Sequence, residues 1–331
     1  MAGTESIEVD PALLKSDCDS DYASSGYNTE STSLSSTVNE YIFENGRRYH
    51  AYYGTDKNLL PTDEAEKDRM DLHHEIMIQL LDGELHKAPL PPDVHNILDV
   101  GTGTGIWAID MADKYPSAQV LGIDLSPLQP KWVPPNCKFE VDDAELEWTY
   151  RSDYFSFIHF RNVAQGITKW RQVLAEAYRC TKRGGYVELS ESGAMLYSDD
   201  DSLAPENPAR RWGELMTEAM AKSGRTAPVD GHLSERLEKA GFVDIKSFAI
   251  KQPFGPWAKD KKLKKLGMML LLQGEQGFHS YGMMAFTRML KMDPKEADTL
   301  CRAAIAATKN KKTHAYAIHY VAYGRKPEAE E

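Results

Sequence analysis

The stretch Asn96-Ile-Leu-Asp-Val100, followed by Gly101-Thr-Gly-Thr-Gly105 and the helical pattern of 106–114, constrains this chain most. It reads as a buried strand, a glycine loop and a helix, the opening unit of a parallel sheet that binds a phosphate or a nucleoside at its strand ends. Further apolar strands are predicted at 119–124, 138–142, 154–160, 186–190, 242–251 and 314–324, with a helix over 170–182 closing at Gly184-Gly185. Strands alternating with helices imply an α/β, doubly wound sheet with helices on both faces.

The loop's details narrow the ligand. A dinucleotide fingerprint wants a glycine where Ile106 stands, and Gly105 gives the closer GxGxG spacing instead. Asp99, two residues ahead of the first glycine, would repel a pyrophosphate but can pair with a cationic amino group, directly or through water. That suits the methionine end of S-adenosyl-L-methionine. Asp124 ends the second strand, where a carboxylate accepts ribose hydroxyls; this position alone does not separate NAD from S-adenosylmethionine. Asp142-Asp143-Ala144 follows the third strand and offers an acceptor to an adenine amino group, or simply caps a loop.

Ile97-Leu-Asp-Val-Gly-Thr-Gly-Thr-Gly105, Gly122-Ile-Asp-Leu-Ser126, Asp142-Asp143-Ala144 and Lys182-Arg-Gly-Gly-Tyr-Val-Glu188 resemble, in order, the motifs of the class I, seven-stranded S-adenosylmethionine-dependent methyltransferases. Arg48-Tyr-His50, Leu60-Pro-Thr-Asp63, Asp71-Leu-His73 and Ile158-His-Phe-Arg-Asn162 further resemble the fungal LaeA-like methyltransferases of secondary metabolism. The resemblance implies a Rossmann-like sheet and a cofactor held by Asp99, Gly101, Thr102, Gly103, Gly105, Asp124, Leu125, Asp142, Asp143 and Ala144. It also implies a small-molecule acceptor, a polyketide or peptide-derived metabolite, methylated on N or O. The alternative it carries is a regulator acting through a velvet-domain protein partner. Arg161 and Asn162, just past the fourth strand, are expected over the methyl position, with His159 one residue deeper either catalytic or a satisfied strand histidine.

The rest of the chain divides around this core. Residues 1–38 are acidic and Ser/Thr-rich and are expected to be disordered. Residues 39–92 carry the dense aromatics of 41–53 and an amphipathic helix over 63–85; Tyr49 and His50, with Tyr52 and Tyr53, are expected either as a lid on the cofactor or as packing against the sheet. The methyltransferase core is expected over 93–253, a helical insertion over 254–312, the last strand over 313–326 and an acidic tail over 327–331. In the insertion Trp257, Met268, Met269, Met283, Met284, Met289 and Met292 either line an adaptable substrate pocket or form a plain helical core.

The net charge of −11 is concentrated at the ends, with eight acids against Lys15 in the first forty residues, so the body offers no phosphate-tracking surface. Direct nucleic acid binding is therefore not expected. The four cysteines form no metal-ligand spacing or disulfide framework, and no structural or catalytic metal is expected. No apolar run approaches the roughly 20 residues of a membrane span, and the start lacks an apolar leader. An intracellular protein, cytoplasmic or nuclear, is expected.

Overall fold

The computed structural model describes residues 40–55 and 57–328. The acidic segment 1–38 and the last three residues of the acidic tail lie outside the described residues. Asn45 and Gly46 both take left-handed backbone, φ 51° and 74°, the pairing a two-residue hairpin turn demands. They join β1 (Tyr41–Glu44) to β2 (Arg47–His50) in an antiparallel ribbon. The aromatic run is thus a hairpin, with Tyr49 turned inward against Leu59 and Met284. Arg47 Nε donates to Asp63 Oδ2 at 2.6 Å, and Asp63 caps α1 (Glu64–Leu80) by accepting from the Glu66 amide at 3.1 Å. The ribbon is in this way tied to the start of the helix that follows it.

Seven strands form the main sheet: β3 (Asn96–Val100), β4 (Gln119–Asp124), β5 (Cys137–Val141), β6 (Phe155–Arg161), β7 (Thr181–Ser192), β8 (Val243–Pro253) and β9 (Tyr316–Arg325). Their order is β5-β4-β3-β6-β7-β9-β8, parallel throughout except that β9 runs antiparallel to both β7 and β8. Strands covered on both faces read as continuous apolar runs. Accordingly Ile97, Val120 and Phe157 meet Trp107 and Met111 of α2 (Ile106–Lys114) on one face. On the other, Leu98, Ile158 and Val187 meet Val173 and Ala177 of α3 (Trp170–Cys180). The chain winds outward from β3 in one direction and from β6 in the other, which opens a crevice at the carboxyl ends of these neighbours.

α4 (Pro208–Lys222) and α5 (His232–Lys239) precede β8. Between β8 and β9 stand α6 (Lys261–Met284), a π-helical turn over Ala285–Met289, and α7 (Pro294–Lys309). This region shares the main core, since Phe278, Met283, Phe286 and Cys301 pack with Trp212 and Met216 of α4. A second contact joins Leu266 and Leu270 of α6 to Ile76, Met77 and Leu80 of α1. The two segments outside the motif-bearing sheet therefore lie against each other above it. Among the described residues no helix is long and apolar enough to cross a membrane.

Candidate active site

Asp99, Gly101, Thr102 and Gly103 line a cleft at the crevice, with Asp124 and Leu125 after β4, Asp142 to Ala144 after β5, and Arg161 and Asn162 after β6. Gly101 sits at φ 73°, and a Cβ there would fall 2.3 Å from Val163 Cγ1. Only glycine lets the loop pass so close. Gly103 donates its amide to Asp124 Oδ2 at 2.8 Å, and the Ser126 amide donates to Oδ1 at 3.0 Å. Each oxygen keeps a lone pair for a further donor. Burial pushes the Asp124 carboxyl up to about 6, against the pull of those two amides.

Asp99 is more fully engaged than its sequence position suggests. Its Oδ2 accepts from Thr102 Oγ1 at 2.6 Å and its Oδ1 from His159 Nδ1 at 2.8 Å. His159 is buried, does not line the cleft, and stacks on Trp107 with ring centroids 3.7 Å apart at 9°. Burial lowers its pKa, so the neutral ring donates to Asp99. It positions Asp99 from behind and does not reach the acceptor side. Gly105 also stands away from the cleft: it opens α2, and a Cβ there would meet the Phe139 ring at 2.3 Å.

Tyr49 and His50, expected either as a lid or as packing, are buried in and beside the hairpin and do not line the cleft. The chain that follows them does. Tyr53 donates its hydroxyl to the Val141 carbonyl at 3.3 Å, and Asn58 to Pro61 line the cleft. Lys57 Nζ bridges Asp143 Oδ2 at 2.6 Å and Glu145 Oε2 at 2.9 Å. Glu145 Oε1 also accepts from the Thr168 and Lys169 amides. Although burial opposes it, Lys57 with these donors holds the Glu145 carboxyl down at about 2. Nothing in the polar loop around Lys57 marks that residue in the sequence.

The Lys57 bridge carries a stability prediction. The Asp143 and Glu145 side chains are 7% and 4% exposed, so Lys57→Met strands two buried carboxylates. The variant should lose about 1 to 3 kcal/mol in urea unfolding at pH 7, less than a fully buried pair because Lys57 is partly exposed. A depressed carboxyl stabilises above its ordinary value of 4.5 and loses that contribution as pH falls toward 2. The gap between the two urea midpoints should therefore narrow below pH 4.5.

Arg161 and Asn162 are held by two adjacent histidines of α1. Arg161 Nη1 donates to His74 Nδ1 at 3.1 Å, which leaves His74 Nε2–H to donate to Asp110 at 2.8 Å. Asn162, at φ 54°, accepts from the Ser192 amide at 3.0 Å and points its Nδ2 at His73 Nε2, 2.5 Å away. Thr104 of the glycine loop donates to Asp71 of the same helix at 2.6 Å. α1 is thereby fastened across the mouth of the crevice.

A second, mostly apolar cavity of about 130 Å³ adjoins the cleft. Both share His73, Asn162, Gln165 and Tyr281 as walls. Leu196, Trp212, Met216, Met220, Phe254 and Phe278 supply its apolar surface. The methionines singled out in the insertion, and Trp257, do not line it; Met283 and Met284 are buried core. Glu191, also on its wall, is buried and accepts from the Val163 amide at 2.9 Å. Burial raises its carboxyl to about 7 despite that amide, the Ala164 amide and Arg236. Sequence reasoning missed His73 as a site residue, as well as Gln165, Glu191 and Tyr281.

The donor set fits S-adenosylmethionine. Carboxylates end three neighbouring strands, the cleft's arginines are paired with Glu66 and His74, and such a lining suits a cationic, hydroxyl-rich nucleoside over a pyrophosphate. A family model described as a methyltransferase domain matches residues 73–247, just over half of the chain. Methyltransferase pytC of Aspergillus terreus is 36% identical over 322 residues, 97% of this chain and 96% of that protein. Secondary metabolism regulator LAE1 of Cochliobolus heterostrophus is 34% identical over 88% of this chain and 96% of its own length. Among solved structures, a Haemonchus contortus phosphoethanolamine N-methyltransferase 2 with S-adenosyl-L-methionine aligns at a TM-score of 0.46 and 18% identity, covering 79% of this chain and 53% of that one. By the domain model and by its likeness to pytC across nearly its whole length, the chain belongs to the S-adenosylmethionine-dependent methyltransferases.

Proposed function

We propose that this methyltransferase acts in fungal secondary metabolism, on a hydroxyl or amino group of a small, largely apolar intermediate. The observation that carries the reading is the apolar cavity sharing His73, Asn162, Gln165 and Tyr281 with the cofactor cleft. When bound, S-adenosylmethionine supplies an electrophilic methyl carbon on a cationic sulfur. Asp124 takes the ribose hydroxyls, Asp142 the adenine amino group and Asp99 the amino-acid end. Tyr53, Lys57 and Asn58 to Pro61 exclude water from above. Asn162 and His73 orient the acceptor between the two spaces, since holding it in line supplies much of the acceleration. Glu191 receives the acceptor's proton on its carboxylate. The domain divisions follow the same reading: 39–92 as cover, 93–253 and 313–326 as core, 254–312 as acceptor wall.

Likeness to LAE1 favours a second reading, a regulator working through velvet-domain partners in the nucleus; the enzyme reading is served equally by the cytoplasm. Metabolite profiling of a deletion strain separates them. Accumulation of one unmethylated intermediate supports the enzyme, whereas loss of many unrelated metabolites supports the regulator.

Cofactor affinity should depend on pH through Asp124. Hydroxyls donate to the ionised carboxylate, so below about pH 6 binding must first remove a proton. Calorimetry with S-adenosylhomocysteine should show roughly tenfold weaker binding at pH 5 than at pH 7.5. Asp124→Asn should bind more weakly at pH 7.5 and lose most of this dependence. An equal pH dependence in both proteins would remove Asp124 from the role.

A further inference from the structure

The second cavity contains more unsatisfied hydrogen-bonding capacity than an apolar pocket needs. Asn162 Oδ1 accepts from the Ser192 amide, so its Nδ2 is the donor toward His73 Nε2. His73 is kept neutral by burial and by the nearby arginines. Its proton therefore sits on Nδ1, a buried donor with no partner among the described residues. Gln165 spends its amide nitrogen on Met216 Sδ at 3.4 Å, which leaves Oε1 as a buried acceptor without a partner. Gln252, on β8 and 2% exposed, leaves Nε2 as a second unpaired donor. All three side chains line the cavity, and Glu191 offers carboxylate lone pairs beside them.

The charges on the wall set a further condition. Among the described residues no lysine or arginine lines the cavity, and Glu191 is the only acid on its wall. An anionic ligand would meet a carboxylate with no cation to pair it. A cationic one would meet the two unpaired donors, His73 Nδ1–H and Gln252 Nε2–H. Trp212 and Phe278 cross edge to face, ring centroids 4.9 Å apart, and Phe254 lies 5.8 Å from Phe278. These are walls for a ring.

We infer that the cavity selects an uncharged, ring-sized acceptor carrying a hydrogen-bond donor beside a carbonyl, the pattern of a lactam or a cyclic hydroxy-enone. The carbonyl takes the His73 Nδ1 and Gln252 Nε2 donors, and the adjacent N–H or O–H faces Gln165 Oε1 and Glu191. A ligand of this class matches His73 Nδ1, Gln252 Nε2 and Gln165 Oε1 together, and a bare hydrocarbon leaves all three unpaired. The inference rests on this cavity being the acceptor site.

Equilibrium dialysis of the full chain loaded with S-adenosylhomocysteine tests it with three probes: 2-quinolinone, naphthalene and 2-naphthoate. The quinolinone should bind at least about tenfold more tightly than naphthalene, and the naphthoate most weakly. Gln252→Leu should weaken quinolinone binding by about tenfold while naphthalene binding stays equal or improves. Equal affinity for quinolinone and naphthalene, preference for the naphthoate, or an unchanged quinolinone affinity in the variant would overturn the inference. So would failure of the quinolinone to bind a protein that retains S-adenosylhomocysteine. Should Gln252→Leu not fold, the ranking of the three probes on the native protein decides alone. Loss of S-adenosylhomocysteine binding itself would instead count against the assignment of the cofactor cleft.

Discussion

Replacing Glu191 by glutamine should lower turnover by about two to four orders of magnitude and leave cofactor affinity within about threefold. The substitution keeps the side chain's shape, and its carbonyl oxygen still accepts from the Val163 amide that now meets Glu191 Oε1 at 2.9 Å. What it removes is the site that receives a proton. Burial holds the Glu191 carboxyl at about 7, where a base is ionised often enough to act and basic enough to take a proton from a weakly acidic hydroxyl. Arg236 and the Val163 and Ala164 amides favour its ionisation, and the Tyr281 hydroxyl, on the same wall, feels its charge. The sign for the native protein follows: the carboxylate form grows as pH rises, so kcat should climb through about pH 7 and level above it. Glu191→Gln should show a low kcat with that rise missing. The assay is turnover of the intermediate that accumulates in the deletion strain. A native-like kcat, or an unaltered pH profile at reduced kcat, would assign Glu191 to packing alone.

Glu191 shows where sequence reading reaches and where it stops. The sheet was legible because a strand buried on both faces must be largely apolar, as 97–100, 120–123 and 155–160 are. The strand-end acids were legible too, since Asp99 and Asp124 lie at the carboxyl ends of such strands and Asp142 just past one. The hairpin's mark in the sequence is Asn45-Gly46 alone, a turn pair set among aromatics whose density points first to packing. Tyr49 packs on Leu59 and Met284, where it is 1% exposed. The second cavity has no local signature in the sequence. Its polar groups come from α1, the loop after β6, the end of β7, β8 and α6. A glutamine such as Gln165 or Gln252 is unremarkable in sequence and becomes informative only when burial leaves it unpaired. Of the two readings open for the insertion's methionines, Met283 and Met284 follow the helical core, while Met216 and Met220, from α4, reach the cavity.

Gly101→Ala should weaken S-adenosylhomocysteine binding by roughly a hundredfold, and adding Val163→Ala should restore most of the loss. The new methyl would lie 2.3 Å from Val163 Cγ1, far inside van der Waals contact, so one side has to move. Val163 is poorly placed to give way. Its amide holds Glu191, and its neighbour Asn162 is committed at both ends of its side chain, to Ser192 and to His73. The glycine loop must shift instead, although the Gly101 and Thr102 amides both donate to the Ile123 carbonyl at 2.9 Å. A displaced loop pulls the Gly103 amide from Asp124, which then loses the donor that orients it toward the ribose. Each broken hydrogen bond to a charged group costs about 1.5 to 3 kcal/mol, enough for the stated loss. In the double variant the colliding Cγ1 is gone, and what remains is alanine held at φ 73°, a cost of about 1 to 2 kcal/mol. Calorimetry on the two single variants and the double gives the coupling directly, with circular dichroism to establish that the sheet is retained. Val163→Ala alone should bind within about threefold of native. If Gly101→Ala binds like the native protein, the loop has room that the geometry denies it. If the double variant binds no better than Gly101→Ala, the damage lies in the left-handed backbone and not in the contact with Val163.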